Sequence, residues 1–168
     1  MTRVLGITGW SGSGKTTMLV ELLPRLIAAG LSVSTIKHAH HGFDLDQPGK
    51  DSWRHRQAGA SEVLICGGQR WALMHEQRDA EPDLASLLAR LAPVDLVLIE
   101  GFKADSFPKL EVYRPALGKA PIWPERSDIV AVATDAPDAS CDRPLLPLND
   151  LDAIARFVLD FVRKPPAS

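Results

Sequence analysis

Apolar and polar residues follow one another along the chain in two patterns: short apolar runs and longer amphipathic stripes. The clearest run is 95–100, in which residues 96–99 are all apolar, as in strands of a parallel sheet that are buried on both faces. The clearest stripe is 15–29, where apolar residues recur every three or four positions and Gly30 follows as a left-handed helix cap. Together they predict a parallel sheet packed against helices.

The same patterns place the remaining elements. Strands are predicted at 3–8, 32–37, 110–114 and 129–134, and helices at 51–58, 82–91 and 151–163, with Pro82 in the first turn of its helix. Segments 62–66 and 70–75, joined by Gly67-Gly68, predict an antiparallel hairpin. This order predicts an α/β fold of three layers, with a mostly parallel sheet and an antiparallel hairpin.

Length and composition narrow the class of protein. The chain has 168 residues, 45% hydrophobic and 24% charged, which predicts one globular domain over 1–168. A net charge of −2 argues against nucleic acid as a partner, and no apolar run is long enough for a membrane span. The first residues lead directly into a strand pattern without a signal peptide, so we expect a cytoplasmic protein.

A glycine-rich motif between the first strand and the first helix is the strongest sign of function. Residues 9–16 read G-W-S-G-S-G-K-T and match G-x-x-x-x-G-K-[ST] in full, in the strand-to-helix context that a phosphate-binding P-loop requires. Backbone N–H groups of such a loop wrap a phosphate at the positive end of a helix. Lys15 would reach the β- and γ-phosphates, and the Thr16 hydroxyl would bind Mg²⁺. The sequence therefore predicts a nucleotide-binding fold of the P-loop NTPase type.

Two acidic residues could complete the Mg²⁺ site. Glu100 ends the buried strand 95–100, where ligands bind in open α/β sheets, although it could also be an ordinary strand-end carboxylate. Asp51 starts a predicted helix, so it is either a helix cap or a carboxylate that faces the metal and the γ-phosphate.

A histidine-rich segment follows the second predicted strand. Lys37, His38, His40 and His41 lie there, with Asp44 and Asp46 just beyond. Three interpretations stay open at this point: contact with an anionic substrate or phosphate, a solvated loop, or a transition-metal site.

Three further charged residues are candidates for ligand contact. Arg56 lies in the short helix 51–58, and Lys103 follows Glu100 at the rim of the same predicted site. Asp135 follows the strand 129–134, where an aspartate of guanine-binding P-loop proteins accepts hydrogen bonds from the base. No N-K-x-D sequence is present, so spacing alone does not decide between guanine and adenine.

Several segments together resemble the MobB family, the molybdopterin-guanine dinucleotide biosynthesis protein B family. They are G-W-S-G-S-G-K-T-T at 9–17, I-K-H-A-H-H at 36–41, D-L-D-Q-P-G-K-D-S at 44–52, R-Q-A-G-A at 56–60, Q-R-W-A-L-M at 69–74 and L-I-E-G-F-K at 98–103. The resemblance covers roughly 3–114 and continues more loosely to 135. The glycine-rich motif is generic, whereas the K-H-x-H-H and D-x-D-x-P-G-K-D-S strings are specific.

The resemblance implies a GTP- and Mg²⁺-binding accessory protein with weak GTPase activity in molybdenum cofactor biosynthesis. It implies a homodimer that assists the guanylyltransferase partner in joining GMP to molybdopterin. By residue match it implies Glu100 and Asp51 as metal-side acids, and Asp135 as a base contact. Lys37, His38, His40 and His41 match motif positions whose role the resemblance does not settle. With Arg56 and Lys103 they are candidates for contact with the pterin or another anion. The phosphate loop implied by the match is Gly9, Ser11, Gly12, Ser13, Gly14, Lys15, Thr16 and Thr17.

Two other functions stay open on the sequence alone. One is a small-molecule P-loop kinase, in which Lys37 and the histidine-rich segment would bind the acceptor. The other is a metal-insertion GTPase, in which His38, His40 and His41 would hold the metal.

Overall fold

A computed structural model describes residues 2–39, 42–78, 80–136 and 140–164. The chain divides into two compact units, one formed by Met1–His38 and Ala89–Ser168 and the other by Ala39–Leu88. The prediction of a single domain over 1–168 stays a prediction.

The first unit contains strands and helices in alternation. Its strands are β1 (Arg3–Thr8), β2 (Val33–Lys37), β5 (Leu96–Glu100), β6 (Lys109–Tyr113), β7 (Ile129–Thr134) and β8 (Leu145–Pro147). Its helices are α1 (Lys15–Ala28) and α4 (Leu151–Arg163), and two short 3₁₀ turns cover Pro115–Leu117 and Trp123–Glu125. In the described part of the chain these strands form one six-stranded sheet in the order β2-β5-β1-β6-β7-β8.

Every strand pair of this sheet is parallel. The carboxyl ends of all its strands therefore lie at one edge, which is the edge that carries the candidate site. This confirms the predicted fold class, an α/β fold with a mostly parallel sheet.

The main core lies between one face of the sheet and the helices α1 and α4. Apolar residues of α1 and α4 spaced by three or four positions meet alternate residues of the strands, because those periods place side chains on one face. The cluster includes Leu5, Ile7, Met18, Leu22, Leu26, Leu96, Leu98, Leu110, Val112, Ala131, Ala133, Ile154 and Val158. On the opposite face, Trp123, Ile129 and Val132 form a smaller cluster.

The second unit contains α2 (Asp51–Gln57), the antiparallel strands β3 (Glu62–Cys66) and β4 (Trp71–His75), and the short helix α3 (Leu84–Leu88). Within the described residues β3 and β4 form a sheet of their own. The predicted hairpin is thus confirmed, and it is separate from the parallel sheet.

Most predicted elements are confirmed within one or two residues, including the left-handed Gly30 (φ +91°) after α1. The helix predicted at 82–91 is wrong in extent, since α3 covers only Leu84–Leu88. The Asp83 carboxylate accepts a hydrogen bond from the Ser86 N–H at 2.7 Å, so the helix begins after Asp83 and Pro82 precedes it. Strand β8 was not predicted, because its three residues, the last of them a proline, show no alternation.

Candidate functional site

The glycine-rich loop, residues 9–16, connects β1 to α1 through left-handed backbone conformations. Gly9, Gly12 and Gly14 have φ values of +139°, +81° and +94°, which residues with a Cβ rarely adopt. At Gly9 a Cβ would lie 2.4 Å from the Val112 carbonyl oxygen, so this turn of the loop is packed directly against β6. The loop backbone thus has the tight shape that the motif predicts.

Lys15, at the start of α1, folds back over the loop. Its ammonium donates a hydrogen bond to the Trp10 carbonyl oxygen at 2.9 Å. Burial lowers the pKa of Lys15, and the positive charges of Lys103 and Lys37 lower it further, against the opposing effect of Glu100. Three ammonium groups therefore share a region with one carboxylate, which leaves an excess of positive charge beside the loop.

Glu100, the last residue of β5, lies next to the first turn of α1. The Thr16 hydroxyl donates to the Glu100 carboxylate, with Oγ1 at 3.0 Å from Oε1. Lys37 Nζ lies 3.8 Å from Glu100 Oε2. In the strand register Glu100 is opposite Ile7 of β1 and Lys37 of β2, and this pairing brings the three strand ends together.

The turn after Glu100 is held by a close approach of two backbones. Gly101 has a φ of +115°, and a Cβ there would lie 2.4 Å from the Cβ of His38. The His38 N–H donates to the Glu100 carbonyl oxygen at 2.8 Å, and the His38 ring stacks on Phe102 at 4.7 Å. His38 is thus packed beside the site, while His40 and His41 lie outside the described residues.

Arg114 contacts the glycine-rich loop and was not singled out from the sequence. It follows the carboxyl end of β6, and its Nε donates to the Ser13 carbonyl oxygen at 3.0 Å. Its Nη1 lies 2.7 Å from the carboxylate of Asp135, which follows β7. The signal that could have revealed Arg114 is its place directly after a parallel strand, the same rule that identified Glu100.

A cavity opens beside Asp135 at the carboxyl ends of β7 and β8. Its volume is about 270 Å³, and it is lined by Thr134, Asp135, Leu145, Leu146, Pro147, Leu148 and Asn149. Apolar walls with a carboxylate and an amide at the edge suit a flat polar ring, since a few polar groups give such pockets their specificity.

Lys103 and Trp10 form part of the loop's surroundings. Lys103 Nζ and Lys119 Nζ each lie 5.8 Å from the centre of the Trp10 ring, within the range of cation–π attraction. The Trp10 indole N–H donates to the Ala120 carbonyl oxygen at 2.7 Å, which fixes the ring. Lys103 is therefore close to the loop, as the sequence predicts.

Asp51 and Arg56 belong to the second unit. Asp51 is the first residue of α2, after the N-cap Lys50, so it is not itself the cap. Its carboxylate is 91% exposed and lies 4.0 Å from Arg54. Its proposed role toward Mg²⁺ stays a prediction.

The Arg56 guanidinium is surrounded by carboxylates of the same unit. It lies 2.6 Å from Asp44, 3.6 Å from Asp46 and 2.7 Å from Glu76, and it is 12% exposed. These three negative charges offset its own. The arrangement favours a structural role in this unit over capture of an anion.

Two features are absent from the residues that the structure describes, a membrane-spanning helix and a cluster of metal-ligating side chains. No helix in that part of the chain is long and apolar enough to cross a membrane. In the same residues no three His, Cys, Asp or Glu side chains are grouped as a metal site would require.

A parallel sheet, a glycine-rich turn before α1 and a carboxylate against Thr16 define an α/β protein of the P-loop NTPase-like fold. The particular family follows from comparison with known sequences. The family model described as "MobB: Molybdopterin guanine dinucleotide synthesis protein B" matches residues 4–135, and the chain belongs to this family.

Individual relatives agree with this assignment. Two proteins named molybdopterin-guanine dinucleotide biosynthesis adapter protein are similar to this chain along most of their length. The one from Escherichia coli K12 is 41% identical, covering 98% of this chain and 95% of its own. The one from Haemophilus influenzae is 45% identical, and the similarity covers 92% of this chain and 86% of that protein. A crystal structure of a MobB homologue from Bacillus stearothermophilus is 25% identical, with a TM-score of 0.70 over 95% of this chain and 97% of that one.

Proposed function

We propose that this protein binds GTP with Mg²⁺ and serves as an adapter in the attachment of a guanine nucleotide to molybdopterin. The observation that carries the proposal is the contact between the Thr16 hydroxyl and Glu100 at the mouth of the glycine-rich loop. It brings a hydroxyl and a carboxylate together at the start of α1, and Glu100 also acts electrostatically on the Lys15 ammonium, which supports a site for Mg²⁺ and a triphosphate.

The loop itself would hold the phosphates. Its glycine conformations allow successive N–H groups to turn toward one centre, and the start of α1 adds a partial positive charge there. Lys15 would exchange the Trp10 carbonyl for the β- and γ-phosphates. Thr17 lies in the first turn of α1 and would contact the α-phosphate.

The residues beside the loop suit Mg²⁺. This ion keeps several waters and takes one or two protein ligands in addition to phosphate oxygens, so it needs no cage of side chains. The Thr16 hydroxyl would bind it directly, and Glu100 would bind it directly or through a water. When bound, the ion would neutralise charge on the β- and γ-phosphates.

The cavity beside Asp135 would hold the base. A carboxylate accepts hydrogen bonds from two neighbouring N–H groups, and guanine presents such a pair on its N1 and 2-amino group. Adenine has no donor at N1 and no 2-amino group. Asp135 at the edge of this cavity therefore supports a preference for GTP.

We expect hydrolysis to be slow. Phosphoryl transfer is accelerated by donors aimed at charge that develops in the transition state, such as an arginine at the γ-phosphate. Arg114, the arginine that contacts the loop, is bonded to the Ser13 carbonyl and to Asp135 instead. Turnover should therefore lie well below the ~1–100 s⁻¹ of kinases.

The positive charge around Glu100 supports a role for Lys37 and Lys103 in binding a second anion besides the nucleotide. Lys37 is 65% exposed, so its ammonium is accessible as well as close to the site. Molybdopterin carries a phosphate, and a pathway adapter would bring that group near the nucleotide. The guanylyltransferase of the pathway would be the protein partner.

A homodimer is part of the proposal, and the hairpin of the second unit supports it. Leu64 and Leu73 are directly opposite in the β3–β4 register, and so are Cys66 and Trp71. Leu64, Trp71 and Leu73 are 60%, 67% and 43% exposed. A two-stranded sheet with an exposed apolar face is marginally stable alone, and a second copy would cover it.

Titration calorimetry tests the nucleotide proposal. We expect Mg²⁺·GTP to bind wild-type protein at least about tenfold more tightly than Mg²⁺·ATP, because only guanine offers paired donors to Asp135. Lys15→Ala should weaken GTP binding about 100-fold through loss of a charge-assisted contact. Lys164→Ala, at the end of α4, is the control and should bind as wild type does.

The possible contrary results separate two parts of the proposal. Equal affinities for GTP and ATP would overturn the role of Asp135 while keeping the phosphate loop. Absence of binding to either nucleotide, in protein with a native circular dichroism spectrum, would overturn the function itself.

A further inference from the structure

Arg114 contacts both ends of the candidate nucleotide site. One side of its guanidinium donates to the carbonyl oxygen of Ser13 in the glycine-rich loop, and the other pairs with Asp135 beside the cavity. Its contacts thus span the strand ends of β6 and β7 and the start of α1. The MobB resemblance assigns no role to this residue.

We propose that Arg114 is a positioning residue that links the glycine-rich loop to Asp135, so that a change at Asp135 alters the affinity of the loop for phosphates. The two contacts of Arg114, with the Ser13 carbonyl and with Asp135, are called the tie below. The proposal deepens the proposed function and rests on it for the identity of the ligand. The tie itself is a property of the unliganded protein.

Peptide geometry explains how the contact acts. In a planar trans peptide the C=O of one residue and the N–H of the next point in opposite directions. A guanidinium that holds the Ser13 carbonyl therefore fixes the direction of the Gly14 N–H, one of the loop's phosphate donors. Without it the Ser13–Gly14 peptide could rotate, because Gly14, with a φ of +94°, has no Cβ to restrict the movement.

The geometry calls for arginine in particular. A planar fork can donate to two separate acceptors at once, whereas a lysine ammonium is a single point charge on a flexible chain. A Cβ placed on Gly14 would lie 3.7 Å from Arg114 Nε and from Nη2, so two nitrogens of the guanidinium lie at ordinary contact distance from the loop. Arg114→Lys keeps the charge and removes the simultaneous contacts with the Ser13 carbonyl and Asp135.

Asp135→Asn gives the decisive measurement, with Mg²⁺·tripolyphosphate as the probe. This ligand has no base, so it does not touch Asp135. Loss of one negative charge near the loop would by Coulomb's law tighten the binding of a polyanion. If Asp135 holds Arg114 in place, the same change should instead weaken binding, by about fivefold.

The other variants complete the test. Arg114→Lys and Arg114→Gln should weaken tripolyphosphate binding about tenfold, and the double variant Arg114→Gln/Asp135→Asn should be no worse than Arg114→Gln alone. The control is Arg143→Gln. Arg143 also donates from Nε to a backbone carbonyl, that of Ile129, and pairs with an aspartate, but at the amino end of β7.

Amide hydrogen exchange of the unliganded protein tests the tie independently of ligand binding. We expect faster exchange at 13–15 in Arg114→Lys and Asp135→Asn, and unchanged exchange there in Arg143→Gln. Faster exchange together with no binding of Mg²⁺·GTP by wild type would support the tie and overturn the proposed function. Unchanged exchange, tighter tripolyphosphate binding in Asp135→Asn, or full rescue by lysine would each overturn the tie.

Discussion

Glu100 shows how one side chain depends on contacts made far along the chain. Its carboxylate accepts from Thr16, 84 positions earlier, and lies near the Lys37 ammonium. Its carbonyl oxygen accepts from the His38 N–H. The side chain is therefore held in place by contacts within the protein, which would reduce the ordering cost of the proposed metal binding.

Replacement of this carboxylate tests its proposed part in the Mg²⁺ site. Glu100→Gln keeps the shape and removes the charge, so we expect the gain in GTP affinity caused by Mg²⁺ to fall about tenfold. Affinity without metal should stay the same or increase, because a negative charge near the triphosphate is gone. Calorimetry with Mg²⁺ and with a chelator measures both values.

Glu21→Gln, on the exposed side of α1, is the matched control and should leave both values unchanged. Equal loss of affinity with and without metal in Glu100→Gln would show that Glu100 does not act on the metal side.

At the scale of elements, the β6–β7 pair contains a buried ion pair that supports the sheet below the site. Lys109 is 1% exposed at the start of β6, and its Nζ lies 2.5 Å from the Asp128 carboxylate, just before β7. Arg126 pairs with the same carboxylate at 2.6 Å. Hydrogen bonds from Arg126, and then from Lys109, lower the pKa of Asp128 to about 2.

The pH dependence of stability follows from that lowered pKa. Because the folded value lies below the unfolded value of 3.8, the stabilisation is present above that value and is lost as pH falls toward about 2. Asp128→Asn should cost about 2–3 kcal/mol near neutral pH, since it leaves the Lys109 ammonium buried beside a neutral amide. Roughly half of the difference from wild type should be gone by about pH 3.

Urea unfolding of both proteins across this pH range measures the difference. Asp142→Asn is the control, because Asp142 also pairs with an arginine but is 71% exposed, and it should cost less than about 0.5 kcal/mol. A stability difference that stays constant down to about pH 3 would contradict the prediction.

For the whole molecule, the hairpin face is where we expect two copies to meet. Leu73→Glu places a charge in the middle of the exposed apolar face formed with Leu64 and Trp71. A buried charge without a partner is costly, so the variant should be monomeric where wild type is dimeric. Light scattering after gel filtration measures the mass of each.

Leu45→Glu is the control, because Leu45 is 82% exposed and outside the β3–β4 hairpin, and it should stay dimeric. A monomeric wild type, or a dimeric Leu73→Glu variant, would rule out this interface.

The local part of the structure could be predicted from the sequence alone. The glycine-rich loop, α1, α4, β5 and the hairpin were all predicted, because apolar periodicity and glycine placement act over a few neighbouring residues. Helix α3 was predicted too long, and strand β8 was not predicted. They contain five and three residues, too few for a period to show.

The strand order, by contrast, was decided only by the tertiary structure. Strands β5 and β6 flank β1, so Glu100 and Arg114 meet the loop from opposite sides although Arg114 and Ser13 are 101 positions apart. No local period encodes such pairing, because it depends on which distant surfaces bury most apolar area together. The sequence by itself therefore determined the glycine-rich motif and the fold class. The packing of the sheet decided which charged side chains surround that motif.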